Sequence, residues 1–148
     1  MIQFFVPMQP RSQGRHRMTK AGHCYTDKAT STARQDVRAA AALAYRGQPL
    51  EGPLSVAITA LRYKPKSWPK ARWAWDVKPD WDNLGTLVCD ACNGILWRDD
   101  AQIVAALVFK AQGVSVEGFL VTVEQAVEGA NHDAVEQALR FLAKGELT

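Results

Sequence analysis

The chain is predicted to fold as one α+β domain, with a mixed β-sheet, flanking helices and the element order β-α-β-α-β-β-α. Segments rich in β-branched and aromatic residues alternate with segments of helical periodicity, and Gly and Pro fall between them. The 148 residues are 47% hydrophobic and 22% charged, proportions that suit a globular domain with its own core. We therefore treat residues 1–148 as a single compact domain.

The first half of the chain is predicted to supply two strands and a helix. Residues 2–6 form a strand, and residues 7–25 are irregular and basic. A helix follows over about residues 27–46, and a strand over 54–63 precedes a proline-rich loop over 64–79. The inner stripe of this first helix consists of small residues, namely Ala33, Val37, Ala40, Ala41 and Ala44.

The second half is predicted to contain two helices and two strands. A helix over residues 82–94 precedes strands over about 103–110 and 118–123. A last helix over about 133–144 begins with Asp133 and Glu136, which have the spacing of a capping box. The inner stripe of the 82–94 helix consists of Leu84, Leu87, Val88 and Ala91.

Charge is divided unevenly along the chain. Residues 1–78 hold 14 Lys/Arg against 4 Asp/Glu, and residues 79–148 hold 4 against 11, so that +10 and −7 give the net +3. A basic half suits a polyanionic partner such as DNA, because each neutralised phosphate releases counterions. Charge alone is equally consistent with an uneven solvated surface.

Several classes of protein are disfavoured by the sequence. No apolar run approaches the roughly 20 residues that span a bilayer, and no secretory signal is seen, so we expect a cytoplasmic protein without a membrane partner. Three cysteines do not suggest a disulfide framework. Cys89 and Cys92 form a C-x-x-C, but they fall within a predicted helix and lack a second ligand pair. We interpret them as core or helix residues.

Two pairs of closely spaced carboxylates flank the predicted 82–94 helix. Asp80 and Asp82 precede it, and Asp99 and Asp100 follow it. Carboxylates about 4 Å apart repel by roughly 1 to 4 kcal/mol, and a hard cation such as Mg²⁺ removes that cost and activates water. Helix capping and ordinary turns explain each aspartate equally well when it is taken alone.

The stretch from residue 78 to 103 resembles the signature of the RusA-like Holliday-junction resolvases (crossover junction endodeoxyribonucleases). That signature reads approximately D-x-D-N-L, then D-A-x-N-G, then W-x-D-D-x-Q-I. The matching positions are Asp80, Asp82, Asn83, Leu84, Asp90, Ala91, Asn93, Gly94, Trp97, Asp99, Asp100, Gln102 and Ile103. Looser agreement extends the resemblance to about residues 1–110 through Pro7, Arg15, Arg17, Tyr25 and Thr26.

The resemblance implies a bacterial or phage-encoded homodimer that nicks four-way DNA junctions near the crossover in recombination and repair. It implies Mg²⁺ as cofactor, with Mn²⁺ as a substitute. The family's catalytic, metal-binding aspartates fall on Asp80, Asp82 and Asp100, with Asp90 and Asp99 as acidic neighbours of second rank.

Basic residues alternate with tryptophans in the 62–78 region, a pattern that suits phosphate contacts and stacking on unpaired bases. The alternative is that the tryptophans anchor a long loop to the core. Arg15 and Arg17 are a second predicted phosphate-binding stretch. The predicted DNA contacts in the first region are Lys70, Arg72, Trp73, Trp75 and Lys78.

Thr86 is a departure from the family pattern, which has a lysine at this position, one helical turn after Asp82. Lys78 or Arg98 substitutes for that lysine, or cleavage is weakened, or the metal does more of the work. Two alternative functions follow: a junction-binding protein with weak or lost cleavage, and a nuclease with broader specificity for branched or flap DNA.

Overall fold

The computed structural model describes residues 1–14 and 28–127, together with the backbone of residues 17–18 and 24–25. The described residues form an α+β domain, which confirms the predicted fold class. Its elements are β1 Ile2–Val6, β2 Arg17–Met18, β3 Cys24–Tyr25, α1 Lys28–Ala44, β4 Leu54–Arg62, α2 Trp81–Cys92, a 3₁₀ turn Asp100–Gln102, β5 Ile103–Gln112 and β6 Gly118–Gln125.

The main sheet has four strands in the order β1-β6-β4-β5. The strands β4 and β5 are parallel and α2 connects them, whereas β6 is antiparallel to both β1 and β4. Parallel neighbours require such a crossover connection. The carboxyl ends of β4 and β5 therefore lie at one edge of the sheet, and the chain leaving β4 reaches the start of α2 there.

The core lies on the side of the sheet that the helices cover. Ile58 at the centre of β4 is paired with Val121 on β6 and Val108 on β5. The predicted inner stripe of α2 is confirmed, since Leu84, Leu87, Val88 and Ala91 are at most 1% exposed. Gly85 brings α2 close to β5, because a Cβ there would lie 3.0 Å from Cγ2 of Val108.

The other side of the sheet carries exposed apolar side chains in the described part of the chain. Phe5, Leu120, Thr59 and Phe109 form one cross-strand row over all four strands. Phe5 and Phe109 are exposed. Side chains alternate between the two sides along a strand, so Lys110, next to Phe109, lies on the side of the helices.

Two details of the predicted elements were wrong, and a third concerns residues that the structure does not describe. Residues 7–25, predicted to be irregular, contain the antiparallel pair β2 and β3, because two-residue strands leave no readable periodicity. In α1 the last turn leaves Ala44 exposed, and Thr30 joins the buried stripe instead. The predicted 133–144 helix lies outside the described residues. No helix in the described ranges is long and apolar enough to cross a membrane.

Candidate functional site

The loop after β4 is fastened to the sheet edge by stacked cations and aromatic rings. The guanidinium of Arg62 lies 4.1 Å from the ring centroid of Trp75 and 4.7 Å from that of Trp68. Arg72 lies on the Trp68 ring at 3.7 Å. Gln112 at the end of β5 donates a hydrogen bond of 2.8 Å to the carbonyl of Ala74. These contacts give the loop a fixed course towards the start of α2.

Lys110 points from β5 into the space between this loop and α2. Its Nζ donates a hydrogen bond of 2.7 Å to the carbonyl of Val77 and lies 5.1 Å from the centroid of the Trp75 ring. Burial, and then the charge of Arg62, lower its pKa, whereas the carboxylates of Asp80 and Asp76 raise it. The ammonium thus lies within electrostatic range of Asp80, which precedes α2.

Asp80 and Asp82 line one groove together with Lys110. Asp80 is the N-cap residue of α2, in extended conformation, but its side chain makes no capping hydrogen bond. The groove has a volume of about 780 Å³. Its walls come from the loop, the start of α2 and β5, namely Asp76, Val77, Lys78, Asp80, Trp81, Asp82 and Lys110. The structure therefore places two sequence-predicted carboxylates beside a cation that the sequence did not predict.

Asp100 lies in an adjoining groove between α2 and β5. Asp82, Thr86 and Cys89 also line that groove. Burial and then the negative charge of Asp100 raise the pKa of Cys89 to about 12, so Asp100 lies beside Cys89. Cys89 is two helical turns beyond Asp82, roughly 10 Å along the axis. Asp82 thus belongs to both grooves, and Asp100 stands towards the far end of the second.

The other acidic residues of the motif make structural contacts. Asp90 Oδ2 accepts hydrogen bonds from Arg34 Nη2 at 2.7 Å and from Gln13 Nε2 at 3.0 Å. Arg38 Nη1 donates to the carbonyls of Ala91 at 3.0 Å and Asn93 at 3.1 Å. These two arginines, four residues apart on α1, therefore join α1 to α2.

Asp99 caps the 3₁₀ turn. Its carboxylate accepts a hydrogen bond of 2.8 Å from the amide of Ala101 and forms a capping box with Gln102. Gln102 Nε2 in turn donates to the carbonyls of Leu50 and Gly52 at 2.9 and 3.0 Å. The interpretation of Asp99 as a turn residue is thus correct, and its carboxylate is engaged by the hydrogen bond that caps the turn.

Three motif carboxylates are left without a comparable role in the described structure. Asp80 and Asp100 accept no side-chain hydrogen bond from a described residue, and Asp82 accepts one, 3.5 Å long, from Asn83. All three residues are exposed. Most oxygen lone pairs of these exposed carboxylates are therefore free to bind a ligand.

The donor set fits a hard divalent cation. Across residues 1–14 and 28–127, no three Asp, Glu, His or Cys side chains lie close enough together to hold a metal ion. Mg²⁺, however, commonly takes one or two carboxylates and completes its shell with water and phosphate oxygens. Asp80 and Asp82, in one open groove, meet that requirement.

The predicted DNA contacts fall in different surroundings. Trp73 is 86% exposed, whereas Trp75 is 5% exposed and lies in the core, where it cannot stack on a base. Arg72 forms an ion pair with Asp76. Lys70 and Lys78 are exposed. Arg15 and the side chain of Arg17 lie outside the described residues.

Cys89 and Cys92 are confirmed as helix and core residues, since both lie on α2 and Cys92 is buried.

Arg98, a candidate substitute for the family lysine, forms an exposed ion pair with Glu51. Lys78 remains available, because it lines the groove of Asp80. Sequence reasoning missed Lys110; its signal was a lone lysine in the apolar strand β5.

One groove of this domain holds Asp80 and Asp82 beside Lys78 and Lys110, an arrangement that can bind a phosphate together with a divalent cation. The family model described as endodeoxyribonuclease RusA matches residues 7–124, and the chain belongs to this family. The match extends over both helices and over the main sheet except β1 and the last residue of β6. A comparison with curated proteins found no match.

Proposed function

We propose that this protein is a metal-dependent endonuclease that resolves four-way DNA junctions by paired nicks near the crossover. One observation carries the proposal. Asp90 and Asp99 are held by hydrogen bonds of 2.7 to 3.0 Å from protein donors, whereas Asp80 and Asp100 accept none from a described side chain and Asp82 accepts only one, 3.5 Å long. Asp80 and Asp82, which share one groove, repel each other. A bound cation offsets that repulsion.

Asp80 and Asp82 would hold Mg²⁺, or Mn²⁺ in its place, through carboxylate oxygens. When bound, the metal supplies positive charge that lowers the pKa of water and stabilises charge on the phosphate. Asp100 is the third carboxylate that the family resemblance assigns. It shares a groove with Asp82, and we propose it as the third metal-binding carboxylate, as the resemblance assigns it.

The reaction is hydrolysis of one phosphodiester bond. The water oxygen forms a new bond to phosphorus, and the bond from phosphorus to one ester oxygen breaks. That leaving oxygen takes up a proton, so one strand end carries a phosphate and the other a hydroxyl. The residues around the groove need only orient the phosphate and stabilise the charge that develops in the transition state.

The DNA would approach over the loop after β4. Lys70 and Lys78 are exposed there and Trp73 offers a free ring, a combination that suits phosphate contacts and stacking on an unpaired base. Arg72 contributes less, because its charge is engaged by Asp76. Arg15 and Arg17 remain proposed contacts from the N-terminal segment.

A homodimer is part of the proposal, since two-fold symmetry would place two sites on strands of like polarity. Sedimentation equilibrium tests it: a mass of one chain at the concentration that cleaves junctions would contradict paired nicking by a dimer. Two copies per junction would support it.

Substrate choice is tested with a panel of a four-way junction, a flap, a three-way branch and a linear duplex, each with Mg²⁺. Preferential, symmetric cleavage of the four-way junction supports a resolvase. Equal cleavage of flaps and branches would favour a broader nuclease. Tight junction binding in EDTA with no cleavage in Mg²⁺ would favour a binding protein, the alternative motivated by Thr86.

A further inference from the structure

We infer that Lys110 of β5 contacts the scissile phosphate and supplies the cation that the family pattern has one turn after Asp82, where this chain has Thr86. The inference rests on the proposed function and deepens it. Lys110 shares a groove with Asp80 and Asp82, and its ammonium interacts with the Asp80 carboxylate. A phosphate that reached the carboxylate pair through a cation would therefore lie beside Lys110.

The side chain of Lys110 is held ready for this contact. Its Nζ donates to the Val77 carbonyl at 2.7 Å and lies 5.1 Å from the Trp75 ring centroid. An ammonium has three donors, and among the described residues only Val77 accepts from it. Two N–H donors therefore remain for phosphate oxygens. Because Lys110 lies on a strand and its ammonium is already hydrogen-bonded, it could stabilise charge on the phosphate without first changing its own position.

Position 86 itself offers no cation and is already engaged. The Thr86 hydroxyl donates a hydrogen bond of 2.9 Å to the Asp82 carbonyl. Of the two substitutes that the sequence suggests, Arg98 is paired with Glu51. Lys78 also lines the groove, but it is exposed and its ammonium forms no hydrogen bond or ion pair with a described residue, which suits a mobile phosphate contact better than a positioned charge.

The alternative role for Lys110 is to anchor the loop after β4, and Lys64 is the matched control for it. Lys64 Nζ donates to the carbonyl of Lys70, also at 2.7 Å, but Lys64 does not line the groove. Lys110→Gln removes the charge and retains a donor, and Lys110→Met is a second neutral variant. Lys64→Gln and Lys64→Met weaken the anchoring of the same loop and leave the groove cation in place.

The test measures two quantities for each variant: single-turnover junction cleavage in Mg²⁺, and the salt dependence of junction binding in EDTA. Lys110→Gln and Lys110→Met should cleave about 30-fold more slowly, as expected for one charge-assisted hydrogen bond in the transition state. Their binding slope in EDTA should fall by about 0.9, the value of one phosphate contact. The Lys64 variants should stay within about threefold in rate with an unchanged slope.

A rescue variant separates charge from anchoring. Thr86→Lys in the Lys110→Gln background should raise the cleavage rate again by about tenfold, since it returns a cation to the neighbourhood of Asp82 without restoring the Val77 hydrogen bond. The inference is overturned if the Lys110 variants have the same cleavage rates and the same salt slopes of binding as the Lys64 variants. It is also overturned if the Lys110 variants cleave more slowly but keep the wild-type salt slope and are not rescued by Thr86→Lys. If the wild type cleaves no junction, the proposed function fails and the EDTA slope alone decides Lys110.

Discussion

Arg34 and Asp90 form the ion pair that joins α1 to α2, with 2.7 Å between Nη2 and Oδ2 and with both side chains 28% exposed. The same carboxylate oxygen accepts from Gln13, so the N-terminal segment is fastened at this point as well. Asp90 is therefore part of the framework that positions α2, and its charge is already compensated.

Asp90→Asn should lower the free energy of unfolding by about 1 to 2 kcal/mol, because it weakens a partly buried charge-assisted contact. Cleavage per folded molecule should stay within about threefold of the wild-type rate. Urea unfolding and single-turnover cleavage below the transition measure the two effects. A folded Asp90→Asn protein with no cleavage would place Asp90 in the catalytic set.

If Asp80 and Asp82 hold Mg²⁺ as proposed, Mg²⁺ should stabilise the wild-type protein against thermal unfolding, because it would bind only the folded state. The gain is about 1.4 kcal/mol at a Mg²⁺ concentration ten times the Kd. Asp82→Asn should lose this gain. Without metal its free energy of unfolding should lie within about 1 kcal/mol of the wild-type value, because it loses both the repulsion from Asp80 and the favourable interaction of a carboxylate with the first turn of α2. Calorimetry with and without Mg²⁺ measures both.

Asp99→Asn is the control for the metal experiment. It removes a charge but retains the oxygen that caps the 3₁₀ turn, and Asn caps about as well as Asp, so it should have nearly the wild-type stability without metal and still show the full Mg²⁺ gain. If Mg²⁺ still stabilises Asp82→Asn against unfolding but no longer stabilises Asp99→Asn, the metal site does not lie at the start of α2.

Junction affinity in EDTA should fall steeply with salt, since the DNA path is basic. Replacing Lys70 and Lys78 with Gln should reduce the slope of log affinity against log salt by about 1.8, or 0.9 for each phosphate that is no longer neutralised. Arg72→Gln should change the slope less, because Arg72 is paired with Asp76. An unchanged slope in the double variant would shift the DNA path to Arg15 and Arg17.

The thiols of Cys89 and Cys92 should be unreactive in the folded protein. Burial is the first cause that raises the pKa of each from an ordinary 9.0 to about 12. In a Cys24→Ser background, alkylation at pH 8 should be slow in buffer and fast in urea. Rapid modification of the folded protein at pH 8 would contradict the burial of these residues.

The same pKa shifts predict how stability depends on pH. As pH rises, a thiol whose pKa is raised by folding loses its proton at a lower pH in the unfolded state than in the folded state, so high pH favours the unfolded state. The contribution of the two thiols to the free energy of unfolding is therefore fully present below about pH 9. It is lost progressively between pH 9 and pH 12.

Much of the fold could be predicted because periodic patterns record it. The apolar stripe of α2 repeats at helical spacing, and Leu84, Leu87, Val88 and Ala91 are all buried. The strands β2 and β3 could not be predicted, since two residues carry no period. Ala44 was placed on the inner stripe because the α1 period continues through it, whereas in the structure it lines an open groove beside β1 and stays exposed.

The candidate site was predicted only where chemistry-bearing residues are neighbours in sequence. Asp80 and Asp82 are two residues apart and share a groove. The pairing of Asp90 with Arg34 joins residues 56 positions apart. Lys110 reaches the groove from β5, and the pairing of β5 with β4 cannot be read from the sequence. Long-range contacts of this kind decide which aspartates are left free, and the sequence does not contain them.

The most direct test of the account is single-turnover cleavage of a synthetic four-way junction in Mg²⁺ by the wild type, Asp80→Asn, Asp82→Asn and Asp100→Asn. Junction binding in EDTA is measured in parallel. The wild type should make paired nicks near the crossover. None of the three variants should cleave detectably, and each should bind the junction equally well or more tightly, because a carboxylate facing phosphate has been removed. Cleavage by Asp82→Asn near the wild-type rate would contradict the proposed metal site.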